Sequence, residues 1–313
     1  MLSVSCNAWI LLARSFWAAA VRIASPLIFA SMGALICERA GVLNLGIEGI
    51  MVTGAFAGWM AAYAGMGLWP AVAVAMASGM AFGLLHAILT VPFGLSQHVV
   101  GLGITLLAAS VAYFSYRIAL PEAISPPKIE AFQVWEVPVF ADNPVLGPAL
   151  FQQTPMTYLA FVTVPVVSVV LFRTPLGLAV RAAGKNPQAV AAQGLSVTGI
   201  RIGAVMVGSR LMAVGGAFLT MSAVNSFFFE MVNGRGWICV ALVVFGAWKS
   251  GKALLGAFDT LQIRLQQTDL AGDLPYQVFL IMPYVLSIAA LVFMSRRGEV
   301  PRVLMQAFNK GER

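Results

Sequence analysis

From Gly49 to Tyr116, sixty-eight consecutive residues contain no Asp, Glu, Lys or Arg. A single bilayer crossing takes about 20 apolar residues, so this stretch alone has room for about three. Only helices and closed barrels satisfy their backbone groups inside a bilayer. Apolar runs of this length call for helices. Of the 313 residues, 60% are hydrophobic and 10% charged, against roughly 25% charged in soluble domains. That excludes an ordinary soluble enzyme and a disordered chain. The reading is an all-α, polytopic membrane bundle of about 8–10 transmembrane or half-membrane helices, forming a single membrane domain over 1–313.

The apolar runs fall at about 16–36, 44–65, 68–92, 97–118, 156–172 and 201–222, followed by short segments at 235–248 and 253–267 and a last span at 275–295. The segment 173–200 holds Arg173, Arg181 and Lys185 with no acid, which the positive-inside rule puts in the cytoplasm. The tail 296–313 reads the same way. The segment 121–155 holds Glu122, Glu130, Glu136 and Asp142 against Lys128, and reads as an external loop. The net charge of +7 is thereby assigned to loops at the membrane surface, beside lipid, and not to nucleic-acid binding. Counting back from these loops puts the N-terminus outside, against the evidence of Arg14 and Arg22; a broken helix near 37–50 is one way out. Cys6, Cys37 and Cys239 lack metal-ligand spacing and are expected as free thiols.

Four stretches carry polar chemistry. Residues 38–49 set Glu38, Arg39, Asn44 and Glu48 among three glycines between apolar runs. Intramembrane ionisable groups are costly and face a cavity or a partner. The stretch is either a pathway-lining break or an interfacial turn. Residues 184–194 place Asn186 before Pro187, with Gly194 at the end. That is the order of N-cap, first helical residue and C-terminal glycine, so 187–193 is a short capped helix, fit to dock a partner or simply solvated. Residues 246–253 approach a phosphate-binding loop, but Ala253 lacks the hydroxyl that motif needs. Asn225, Glu230, Asn233 and Arg235 form either a gate or an interfacial loop. Gly54 with Gly58, and Gly79 with Gly83, are pairs whose spacing permits close helix approach. No nucleophile–base pair or metal-ligand set is visible, so no catalytic residue, metal or cofactor is assigned to this chain.

The runs ERAGVLNLGIEGIMVTGAF (38–56), TPLGLAVRAAGKNPQAVAAQGLSV (174–197), GRGWICVALVVFGAWKSGKALLGA (234–257) and LPYQVFLIMPYVL (274–286) resemble, in order, blocks of ABC-importer permeases of the simple-sugar and nucleoside branch. The resemblance implies a type II ABC-importer fold in the bacterial inner membrane. It implies a separate cytoplasmic ATPase that holds ATP and magnesium, an extracytoplasmic binding protein, and a sister permease. The length is most like the shorter permease of a nucleoside system, hence a heterodimer; a ribose-type homodimer is the alternative. Carried over by position, Asn44, Gly46, Glu48, Gly49, Gln97 and Thr105 fall on the substrate pathway. Gly184, Asn186, Pro187 and Gly194 fall on the ATPase-coupling loop. Ser96 and Thr105 stand where Asn is common in the family. An ion-coupled secondary transporter is the rival of another class, and would need free acids in its core.

Overall fold

The computed structural model describes residues 2–121, 125–136, 151–245 and 304, with side chains from residue 21 onward. The sequence assignments at 253–267, at 275–295 and for the phosphate-loop look-alike lie outside the described residues, as does the tail apart from residue 304.

The described chain is a helix bundle. In order come α1 (Leu2–Arg39), α2 (Ile47–Tyr63), α3 (Leu68–Thr90), α4 (Gln97–Ala119), α5 (Pro155–Arg173), α6 (Pro175–Lys185), α7 (Pro187–Ala192), α8 (Val197–Phe218) and α9 (Arg235–Phe245). A π-turn, Leu219–Ala223, prolongs α8. Five stretches are long and apolar enough to cross a membrane: Val21–Arg39 of α1, then α3, α4, α5, and α8 with its π-turn. At 17 residues, α2 falls just short. In the 121–155 segment Trp135–Glu136 (β1) pairs antiparallel with Gln152–Gln153 (β2), a contact the composition did not announce.

The helix α8 is the hub, packed on α1, α2 and α3. Its residues and those of Val21–Arg39 in α1 are mostly buried, whereas α3, α4 and α5 are about one-third buried and turn apolar faces outward. Glycine permits the tight seams. A Cβ on Gly33 would strike the Gly208 carbonyl, one on Gly54 the backbone of Ala213, and ones on Gly79 and Gly83 would strike Ser209. Both glycine pairs seen in the sequence thus face α8. With lipid as apolar as leucine, such van der Waals approach is what holds membrane helices together.

The helices α1 and α5 end side by side. The Arg39 guanidinium lies 5.4 Å from the centre of the Phe172 ring, and Arg181 approaches the same ring at 5.3 Å. Both helices therefore point toward the basic 173–200 loop, and the Val21 end of the α1 span lies on the opposite side. Cys37 and Cys239 are buried thiols outside any disulfide.

Candidate functional site

The α1 helix does not continue into α2. Its end is closed by the Gly41 amide on the Glu38 carbonyl (2.9 Å) and the Val42 amide on the Cys37 carbonyl (3.1 Å), with Gly41 at φ +85°. The chain then turns back. Cys37 sits beside Ala204 and Val205 of α8, yet Asn44 reaches Ser209 and Met212, further along the same helix. Residues 40–46 thus climb from the basic end of the bundle to about its middle, where α2 begins. The polar stretch is a break at membrane depth. Such irregular backbone is tolerated only inside protein or beside a cavity.

The sequence-assigned residues hold this break. Asn44 is 2% exposed; it donates to the Ser209 hydroxyl (3.1 Å) and accepts from the Gly46 amide (3.0 Å). Gln97, at the start of α4, accepts from the Leu43 amide at 2.7 Å. The Thr105 hydroxyl donates to the Leu45 carbonyl at 3.0 Å. Gly46 lies on Ile104, and Gly49 on Thr105 and Ala108, too close for a side chain. These five residues therefore brace the turn against α4 and α8. Leu45 and Glu48 alone among residues 40–50 keep partial exposure.

Glu48 binds across the bundle. One carboxylate oxygen accepts from the Gly234 amide and the other from the Gly236 amide, each at 2.7 Å. These donors belong to the unsatisfied first turn of α9, where a negative charge is favourable. The loop that brings them there runs inward from the π-turn of α8. It needs left-handed backbone at Asn225, Glu230, Asn233 and Gly234. The Arg235 guanidinium folds back onto the Met231 carbonyl. The cluster that the sequence left between gate and interfacial loop is a re-entrant segment latched to the break.

That segment carries an aromatic wall missed in the sequence reading. Phe227 packs on Phe56 (5.5 Å), Trp59 and Tyr116, while Phe229, 39% exposed, meets Tyr113 (4.9 Å) and Tyr116 (5.6 Å) edge-on. The Tyr113 hydroxyl accepts from the Glu230 amide. Leu45, Glu48, Tyr113 and Tyr116 keep partial exposure, as does Phe229. Together these side chains offer ring faces, a hydroxyl and a carboxylate already held by two amides, chemistry suited to a neutral solute with ring and hydroxyl groups. The available signal was the pairing of two aromatic-rich runs, 113–116 and 227–229.

In the basic 173–200 loop the capped helix is observed as α7. Asn186 accepts from the Ala189 amide at 3.1 Å, Pro187 follows, and Gly194 takes φ +79° with open space around it. Ala183, Val190 and Val197 form a small core of their own. Gly184 lies against the backbone of Arg39 and Gly41, where a Cβ would collide with the Arg39 carbonyl. The capped loop therefore bears directly on the residue before the break. No group of three or more potential metal ligands occurs among the described residues.

A family model described as "branched-chain amino acid transport system / permease component" matches residues 17–291. A putative glucose ABC transporter permease of Haloferax volcanii is 34% identical, covering 93% of this chain and 96% of its own length. The guanosine ABC transporter permease of Bacillus subtilis is 32% identical, over 93% and 95%. A nucleoside ABC transporter permease of Lactococcus lactis is 30% identical, over 89% and 91%. No solved structure matches.

Proposed function

We propose a role for this chain from one premise: it belongs to the permease-component family of branched-chain amino acid transport systems. It is the multi-pass membrane subunit of an ATP-driven importer, seated in the inner membrane, and it carries a nucleoside or a related neutral solute inward. It performs no bond chemistry. A cytoplasmic ATPase binds ATP and magnesium, an extracytoplasmic binding protein delivers the solute, and a sister permease completes the route.

The observation that carries this reading is the seat of Gly184 on Arg39 and Gly41. Motion of α7 with the ATPase passes through that contact into the break at 40–46. The break is tied through Asn44 to α8, through Gln97 and Thr105 to α4, and through Glu48 to α9. One displacement at the cytoplasmic face thus acts on three helices. That is the two-state element which nucleotide and solute would both bias. An ion-coupled carrier needs a titrating acid free to exchange its proton or ion, and both oxygens of Glu48 are committed to backbone amides.

Nucleosides fit the aromatic wall, and two relatives carry nucleoside names. A sugar is the runner-up, favoured by the glucose-named relative. The test is a photo-crosslinker at Gln188 on exposed α7, in membranes holding the assembled transporter. An adduct with the ATPase supports the reading. Labelling without it, while the ATPase remains bound elsewhere, removes α7 as the lever.

A further inference from the structure

The helix α8 with its π-turn spans Val197 to Ala223, and Arg210 lies thirteen residues from each end. At about 1.5 Å per residue that is about 20 Å from either terminus. The hydrocarbon layer reaches only about 15 Å to each side of its midplane. Arg210 is therefore a guanidinium at mid-membrane, and its side chain covers only a fraction of the distance to a headgroup. It is partly exposed. Among the described residues its acceptor is the Met80 sulfur of α3, at 3.1 and 2.6 Å from Nε and Nη2. A thioether is a weak acceptor, and a guanidinium has five donors. A cation left so poorly matched at this depth points to an oxygen supplied from outside.

The surroundings fit a helix. Arg210 lies beside the exposed seam between α3 and α8. Ala73 and Ala77 are exposed on α3, and Val207 on α8. A Cβ at Gly203 would meet nothing within 4 Å. Small residues let a further helix approach closely. Glu48 and the aromatic wall lie elsewhere, on α2, α4 and the segment leading into α9.

We propose that this seam is the docking face for the second permease chain, that the second chain differs from this one, and that it presents a carboxylate or amide oxygen to Arg210 at mid-membrane. Lipid chains offer no acceptor. A second copy is disfavoured by symmetry. A two-fold axis along the membrane normal through this seam would bring Arg210 of each copy to the same depth, face to face, and like charges would meet. The identity of the partner rests on the importer reading; the need for an external oxygen rests on Arg210 alone.

The test uses the transporter assembled in membranes. A photo-crosslinker replaces Val207 or Ala77, with Leu106 on the outward face of α4 as control. Adducts with a non-identical permease from Val207 and Ala77, and not from Leu106, are expected. Adducts with a second copy, with residues 246–303 of the same chain, or with lipid alone overturn the proposal. In addition, Arg210→Met should lower co-purification of the second permease at least about ten-fold, since removing one member of a buried charge pair leaves the other unpaired. Unchanged co-purification also overturns it. The crosslink is read on chains that keep Arg210, so it stands even if Arg210→Met does not fold. Crosslinking from Gln188 in the same membranes separates the two readings. An ATPase adduct there without a permease adduct at Val207 refutes only the seam, and loss of both refutes the importer.

Discussion

Replacing Glu48 by Gln should release the start of α9 from the break. The carboxylate accepts two backbone N–H groups at 2.7 Å, one on each oxygen. Gln keeps one carbonyl oxygen and turns an NH2 toward the other amide. One hydrogen bond is lost with its donor left buried, and the other falls from charge-assisted to neutral. Hydrogen bonds to charged groups contribute about 1.5–3 kcal/mol and neutral ones about 1 kcal/mol. The combined loss is about 3 kcal/mol, which corresponds to roughly a hundred-fold rise in local opening. The assay is amide hydrogen exchange of a peptide covering Gly234 and Gly236, on protein in lipid nanodiscs. Exchange there should accelerate about a hundred-fold while the 204–216 core of α8 stays protected. Solute uptake should fall with the ATPase still bound. Wild-type exchange in Glu48→Gln would refute the latch.

Three further substitutions bear on the lever and the seams. Gly194→Val forces a β-branched residue to φ +79°, a strain of about 1–3 kcal/mol; ATP hydrolysis should persist while uptake drops, and unaltered stoichiometry of the two would count against the lever. Asn186→Ala removes the cap of α7 at a cost of about 1 kcal/mol; crosslinking from Gln188 to the ATPase should weaken several-fold, and full yield would show that the cap is dispensable. Gly54→Ala puts a methyl into the backbone of Ala213, an overpacking of about 1–3 kcal/mol. Thermal unfolding in detergent should shift down, whereas Gly103→Ala on an open face of α4 should not.

Much of the bundle was legible because its signals are local. Charge-free runs give the spans, and Asn186, Pro187 and Gly194 announce α7 by capping chemistry alone. The break at 40–46 was visible as polar residues and glycines amid apolar runs, but its depth was not. Depth depends on Asn44 meeting Ser209, a partner 165 residues away. The partners of Glu48 lie 186 and 188 residues away, so their spacing carries no sequence signal. Left-handed backbone at Asn225, Glu230 and Asn233 is set by tertiary closure. For the same reason the sequence placed Asn44, Gln97 and Thr105 on the pathway without revealing that they brace a turn. Arg210 was legible as a charge inside the run 201–222, and only the fold exposes how poorly it is matched.

As the membrane subunit of an ATP-driven importer, this chain should carry solute only as part of that assembly. The direct measurement is uptake by proteoliposomes containing this chain, the second permease, the ATPase and the binding protein, offered labelled nucleosides and sugars with and without ATP. Nucleoside uptake that requires ATP and the binding protein is the expected result. Uptake by this chain alone, driven by an ion gradient, would contradict it.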